Sequence, residues 1–188
     1  MSAENTSPNE LIPVTQSLSL RAVDECHVTE LHQLVMKNQR WLQQSLNWSA
    51  DVSHEDETRR HVQGNVILHQ RGYGKMFLLF LQEEIIGVLS FNQIEPINKT
   101  AYIGYWIDES HQGQGLLSQA LQALMDYFAR NGTVRRFVIK CRVANHKSNQ
   151  VALRNGFSLE GCLKQAEYLN GSYDDQNIYG RIIDSGAE

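Results

Sequence analysis

Apolar positions in this chain change period repeatedly, and the changes lay out its elements. Between Thr15 and Val23, Leu18, Leu20 and Ala22 alternate with polar residues, which predicts a first strand. Val28, Leu31, Leu34, Val35 and Leu42 then recur at helical spacing. Ser53-His-Glu-Asp56 sets a hydroxyl three residues ahead of a carboxylate, a capping pattern that opens a second helix running through Val62, Val66 and Ile67 to Gly72. Lys75 to Leu81, the turn Gln82-Glu83-Glu84 and Ile85 to Ile94 predict a hairpin, and Lys99 to Asp108 a third strand beside it. After a glycine-containing loop, Glu109 to Gly115, the residues Leu117, Ala120, Leu121, Leu124 and Phe128 form one helical stripe that Gly132 ends. Arg135 to Val143 alternates again, with Phe137, Ile139, Cys141 and Val143 on one face. A helix over His146 to Asn155, closed by Gly156, leads to a last hairpin: Phe157 to Leu169, the turn Asn170-Gly171, and Tyr173 to Ile183. The order β-α-α-β-β-β-α-β-α-β-β predicts one α+β domain around a mixed sheet over residues 15–184, with residues 1–14 as a flexible N-terminus.

Composition narrows the class. The 188 residues are enough for one sizeable core and too few for two ordinary domains. With 41% hydrophobic and 20% charged residues, the chain reads as neither disordered nor fibrous. The longest apolar run, Met76 to Leu81, is too short to span a bilayer, and Met1 to Glu10 lacks the basic and apolar regions of a secretory signal. A formal charge of −4 argues against a general nucleic-acid coat. Cys26, Cys141 and Cys162 form neither a metal-ligand spacing nor an even disulfide set, so they read as reduced thiols of a cytoplasmic protein. His54, His61 and His69 share one helical stripe with no cysteine nearby, and read as surface or packing residues with no metal.

The chemistry concentrates at His111-Gln112-Gly113-Gln114-Gly115-Leu116-Leu117, between a strand and an amphipathic helix. A helix start offers unpaired N–H groups and the positive end of its dipole, and glycines let that backbone close on an anion. The segment therefore reads as a phosphate cradle or as a plain turn. It is not a Walker loop, because no Lys-Ser/Thr pair follows, nor a full dinucleotide fingerprint, because the third glycine is missing. Further on, Asn145-His146-Lys147-Ser148 opens the next helix, where Asn145 or Ser148 could serve as its cap.

Taken together, Q-G-Q-G-L-L, N-H-K-S, A-L-R-N-G-F and L-E-G-C resemble the GNAT acetyltransferases, and within them the RimJ/RimL branch of ribosomal-protein acetyltransferases. Trp41-Leu-Gln-Gln-Ser-Leu-Asn-Trp48, His69-Gln-Arg-Gly72 and Gly104-Tyr-Trp106 are similar to the member of that branch whose acceptor is the N-terminal serine of the ribosomal stalk protein. The resemblance spans residues 15–184. It implies a GNAT-like single domain whose mixed, mostly antiparallel sheet is flanked by helices and splayed at an acetyl-CoA site. Trp106 and Ile107 would give backbone contacts to the pantetheine; the amides of Gln112, Gly113, Gln114, Gly115, Leu116 and Leu117 would hold the pyrophosphate. Asn145 would bond the cofactor and Ser148 would face its sulfur. The family pattern wants a small residue where this chain has Leu117, which implies a slightly more open loop. A homodimer with the cleft near its interface, direct attack in a ternary complex, and no direct contact with nucleic acid or membrane are also implied.

An N-terminal amine, with a pKa of about 7.7–8.0, needs only a modest base, whereas a lysine near about 10.4 needs far more help. Glu160 and Glu167 are the candidate bases, and the resemblance favours Glu167. Ser148 is the candidate donor to the leaving thiolate, and Tyr168 a possible second one. Cys141 sits on an apolar face, which makes an inert thiol, yet it lies shortly before Asn145. A mixed disulfide with CoA, or an acetyl-cysteine step, is therefore conceivable on paper. Arg135, Arg136, Lys140, Arg142, Lys147 and Arg154 read as a solvated basic face, some of which could meet CoA phosphates. Trp41, Leu42, Leu46 and Trp48 would wall a peptide site, an interface or the core. Two other functions stay open. One is the same transfer to a polyamine or aminoglycoside, which would want a carboxylate cluster such as Glu55, Asp56, Glu57, Asp174 and Asp175. The other is a CoA-binding protein without turnover.

Overall fold

The computed structural model describes residues 10–185. Its strands are β1 (Leu11–Pro13), β2 (Leu18–Ala22), β3 (Lys75–Leu81), β4 (Glu84–Glu95), β5 (Thr100–Ile107), β6 (Arg136–Arg142), β7 (Ser158–Leu169) and β8 (Ser172–Ile182). Its α-helices are α1 (Val28–Leu42), α2 (Glu55–Arg71), α3 (Leu116–Arg130) and α4 (His146–Arg154). The strands form one sheet in the order β1-β2-β3-β4-β5-β6-β8-β7. Every neighbouring pair is antiparallel except β5 and β6, which run parallel.

The sheet has a core on each face. Strand β3 reads Lys-Met-Phe-Leu-Leu-Phe-Leu without polar alternation because both its faces are covered. Phe77 and Leu79 join the cluster that includes α3 and the start of β6, while Met76, Leu78 and Phe80 join the cluster of α1 and α2. The stripe of α3 docks through Ala120, Leu121, Leu124, Met125 and Phe128, with the Phe128 ring 5.1 Å from that of Phe91. Strand β7 is the opposite case: nearly all its residues are exposed or half-buried, and it closes the sheet as an edge.

Two boundaries differ from the sequence reading. Residues 1–9 of the expected flexible N-terminus lie outside the described residues, and Leu11–Pro13 form the edge strand β1. The carboxylate of Glu10 accepts from His69 Nε2 at 3.0 Å and lies 3.5 Å from Lys75 Nζ, which fastens that strand to α2 and β3. Periodicity cannot find a three-residue strand whose stability comes from its pairing. At α2 the cap lies one residue later than Ser53: His54 is the N-cap, and the Glu57 carboxylate receives the backbone N–H of both Ser53 and His54.

The feature that matters most, the splay that the resemblance implies, lies between β5 and β6. They pair only at Thr100–Arg136, Ala101–Phe137 and Tyr102–Val138, although both strands continue beyond. From Ile103 onward β5 stays paired with β4, and from Ile139 onward β6 stays paired with β8. The sheet therefore splays open along its middle and leaves one edge of each strand unpaired.

Candidate active site

The splay presents backbone groups. The Asp108 N–H donates to the Ile86 carbonyl at 2.7 Å, and successive strand residues turn their backbone groups to opposite sides. Trp106 therefore turns its N–H and C=O toward β4, whereas Tyr105 and Ile107 turn theirs into the gap. Of the two residues expected to offer backbone contacts there, Ile107 faces the gap and Trp106 does not. The Trp106 indole is buried instead with α1 and α2.

Below the gap the loop Gln112–Gly115 leads into α3. Gly113 and Gly115 both have φ of +75°, a left-handed conformation that other residues enter only at a cost. Among the described residues no side chain caps α3, and no acidic residue lies in its first turn, so its leading N–H groups and dipole have no partner among them. The Lys147 ammonium reaches Gln112 Oε1 at 3.4 Å and adds a cation at the loop. Leu117 sits half-buried in a regular first turn of α3, so the larger residue leaves the helix start undisturbed. A Cβ built at Gly113 meets nothing within 4 Å, which marks space the protein itself leaves clear. Gly113→Val is expected to weaken binding of the CoA that the resemblance implies by about tenfold, from a left-handed strain of about 1–2 kcal/mol plus the side chain intruding into that space. Calorimetric titration of CoA reads this.

Behind the loop stands a buried anchor. The Asp108 carboxylate, 2% exposed, accepts from Lys37 Nζ at 3.0 Å, Ser110 Oγ at 2.6 Å and His111 Nδ1 at 2.8 Å. Burial pushes its pKa up, but hydrogen bonds from Ser110, Lys37, Asn38 and His111 outweigh this and hold it far below the ordinary carboxylate range. The Glu109 N–H donates to Asn38 Oδ1 at 3.0 Å, so α1 holds the start of the turn that enters the loop.

On the β6 side, Asn145 is the N-cap of α4 and its Oδ1 accepts from the Ser148 N–H at 3.3 Å. Asn145, rather than Ser148, is thus the cap, and the Ser148 hydroxyl is free for another partner: Tyr105 Oη lies 3.1 Å from Ser148 Oγ. Asn149 locks the start of α4 onto the sheet. Its Nδ2 donates to the carbonyls of Arg142 (3.0 Å) and Asn145 (2.7 Å), and its Oδ1 accepts from Asn177 (2.9 Å) and Tyr179 (2.6 Å). The Cys141 thiol is buried on β6; burial, and then the charge of Glu167, push its pKa up to about 11, so it is a protonated and weakly nucleophilic thiol.

The two candidate bases are in different settings. Glu167 is half-buried on β7, within reach of Cys141 electrostatically, and its only side-chain partner among the described residues is Gln176 Nε2 at 3.2 Å. Glu160 is held by both terminal nitrogens of Arg136 at the far end of β6, and this pairing lowers its pKa. Tyr168, the second candidate donor, is 52% exposed and packs its ring 5.0 Å from that of Tyr173.

On the α1 and α2 side of the sheet a cavity of about 470 Å³ is lined by Leu46, Trp48, His61, Met76, Val88 and Trp106, among others. The His61 ring stacks on Trp48 at 5.6 Å. The expected apolar wall therefore divides: Trp48 and Leu46 line the cavity, Leu42 is core, and Trp41 donates its indole N–H to Asn38. Over the gap, Asn170 Nδ2 donates to the Gln43 carbonyl at 3.3 Å, joining the final hairpin to the loop after α1. Three of the six basic residues are in ion pairs: Arg135 with Asp184, Arg136 with Glu160 and Arg142 with Asp174. Among the described residues no group of three His, Cys, Asp or Glu side chains could hold a metal ion.

A half-open sheet with free strand edges, ending on an uncapped helix start with a glycine cradle, fits an extended ligand that carries a phosphate group at one end. Known proteins agree. Residues 17–158 match the acetyltransferase (GNAT) domain family. The ribosomal-protein-serine acetyltransferase of Escherichia coli (strain K12) is 68% identical over 176 residues, 94% of this chain and 98% of that one. A solved structure of RimL, the ribosomal L7/L12 alpha-N-protein acetyltransferase, with coenzyme A joined to a cysteine by a disulfide, is 67% identical. It superposes with a TM-score of 0.92 over 94% of this chain and 100% of that one. The microcin C7 self-immunity acetyltransferase MccE, solved with acetyl-CoA and AMP, is 37% identical with a TM-score of 0.90 over 95% of this chain and 99% of that one. The chain belongs to the GNAT acetyltransferase family, and the splayed sheet with its glycine cradle is where that family membership is written in the fold.

Proposed function

We propose that this enzyme moves the acetyl group of acetyl-CoA to the N-terminal amine of a ribosomal protein, the serine that begins stalk protein L7/L12. The observation that carries the reading is the opening of β5 from β6, with Ser148 on one rim and Glu167 on the neighbouring hairpin. Similarity over 94% of the chain to an enzyme of that activity supports the acceptor. Acetyl-CoA enters as a substrate. Ile107 and Tyr105 offer backbone groups to its pantetheine arm, and the loop Gln112–Leu117 holds its pyrophosphate.

The amine attacks the thioester carbonyl, so the N–C bond forms as the C–S bond breaks. Glu167, directly or through one water, takes the proton the nitrogen gives up. Ser148 donates a hydrogen bond to the sulfur as it leaves as a thiolate, which ends as the thiol of CoA. Direct attack is favoured over an acetyl-cysteine because Cys141 holds its proton up to about pH 11.

Four of the five carboxylates offered for a polycationic acceptor, all but Asp56, are already engaged. Glu55 bonds Thr29, Glu57 caps α2, Asp174 pairs with Arg142 and Asp175 with Lys164. The expected result is acetylation of a peptide carrying the stalk protein's N-terminus, with spermidine and an internal-lysine peptide left unmodified. The rate is expected to rise with pH toward about 8 as the acceptor amine loses its proton. A rate that climbs through pH 10 would signal a lysine acceptor and contradict the reading.

The same reading includes a homodimer working in the cytoplasm, where ribosomal proteins are. The exposed outer strand β7, with Leu159, Leu163 and Tyr168 uncovered, is the surface that supports it. Light scattering after size exclusion is expected to give twice the 21.5 kDa chain mass, and a peak at the chain mass would contradict it.

A further inference from the structure

Ser148 is asked to donate, and a hydroxyl donates in a fixed direction only if something else takes up its other hydrogen-bonding capacity. At the third position of α4 its Oγ could turn back onto the helix, toward the preceding carbonyls, and be lost to the gap. No such bond is made. The one side chain bonded to Ser148 Oγ among the described residues is Tyr105, whose hydroxyl is 3.1 Å away and also lies 3.4 Å from the Ser148 carbonyl oxygen. Tyr105 crosses the gap from β5 to α4 to do this, so the contact joins the two rims that the missing β5–β6 pairing leaves apart.

We propose that Tyr105 is a positioning residue for Ser148: its hydroxyl donates to Ser148 Oγ, so the Ser148 hydrogen is left to point at the departing sulfur. Two features fix the direction of the bond. The Tyr105 hydroxyl has a single hydrogen, and of its two acceptors Ser148 Oγ at 3.1 Å is nearer than the Ser148 carbonyl at 3.4 Å, so the hydrogen goes to Oγ. Burial keeps the Tyr105 hydroxyl protonated, with its pKa pushed up to about 12, so it remains a donor across the working range. A hydroxyl that accepts one bond is also a better donor of the next. Tyr105 itself need not touch the sulfur or exchange a proton.

The inference rests on the role given to Ser148 above, and the test separates the two. Tyr105→Phe keeps the ring in its packing and removes only the hydroxyl. Single-turnover acetyl transfer to the stalk-protein peptide is expected to slow about tenfold, one hydrogen bond's worth, with KM for acetyl-CoA and the CoA dissociation constant unchanged. Ser148→Ala is expected to slow it at least as much, and Tyr105→Phe/Ser148→Ala no further than Ser148→Ala alone, because Tyr105 acts only through that hydroxyl. A merely structural role would instead lower the melting temperature, raise KM and add to the Ser148→Ala effect; any of those overturns the inference. If Ser148→Ala is slow but Tyr105→Phe runs at full rate, Tyr105 has no positioning role and the Ser148 assignment stands. If Ser148→Ala itself runs at full rate, the assignment falls and the inference with it.

Discussion

Glu167→Gln is expected to slow acetyl transfer by about a hundredfold or more, the low end of what a positioned base contributes, while CoA binds as before. Glu167 is suited to the work by what it lacks. It has no cation against it; its side chain bonds only Gln176 among the described residues, and a glutamine in its place can keep that contact. Its register partner across the hairpin is Asp174, and the chain between Leu163 and Glu167 bulges out of the ladder, with Gln165 at φ +48°. A bulge re-aims the side chains that follow it. Glu160 provides the contrast. Clamped by Arg136, it cannot take a proton near neutral pH without losing that pairing. Glu160→Gln is therefore expected to leave the rate within about twofold, its cost being at most the roughly 1 kcal/mol of a half-exposed ion pair. Single-turnover rates for the two variants decide the matter. A slow Glu160→Gln beside a normal Glu167→Gln would reverse the assignment.

The second large effect is on stability. Asp108→Asn is expected to destabilise the fold by about 3 kcal/mol, the cost of leaving a buried charge network without its anion. Three donors converge on this carboxylate, and its Oδ1 is already buried without a partner, so the site has no slack to absorb a neutral amide. Since the folded-state pKa lies below the unfolded value of about 3.9, the stabilisation is complete above that value and is withdrawn as pH falls below it. Urea melts across pH 3 to 7 are expected to show the wild type losing stability at the acid end and Asp108→Asn losing less over the same range. Parallel curves would mean that another carboxylate governs the acid limb. The variant is also expected to bind acetyl-CoA more weakly, because Asp108 fixes the turn that carries Gln112 and Gly113.

Much of this was legible in the chain. Helical and strand periods located every α-helix and seven of the eight strands to within a few residues, because most of those elements bury a face large enough to mark the sequence. What stayed hidden depends on pairing rather than pattern. The strand at Leu11–Pro13 has too few residues to show a period. The pattern of β5 and β6 does not show the splay, because the two look alike in sequence whether or not they touch; only the family resemblance implied it, and Trp106 and Ile107 could not be told apart until the backbone of Asp108 fixed the alternation. The loop could be singled out but not assigned from its residues alone, since two glycines at a strand-helix junction also make a plain turn. Asn145 and Ser148 could be singled out but not ranked as caps; only the bond from the Ser148 N–H settles it. Tyr105 and Asp108 were not singled out because each has a partner distant in sequence: Tyr105 bonds Ser148, and Asp108 bonds Lys37. The local spacing Asp108-x-Ser110-His111 was the one available hint, a carboxylate positioned to fold a turn around itself.

The most direct test of the account is the intact mass of purified stalk protein L7/L12 after incubation with this enzyme and acetyl-CoA, followed by peptide mapping. The account predicts one added acetyl group, on the α-amine of the N-terminal serine, and its near-absence with Glu167→Gln. Acetyl groups on lysine side chains, or an unmodified stalk protein beside an acetylated small amine, would contradict it.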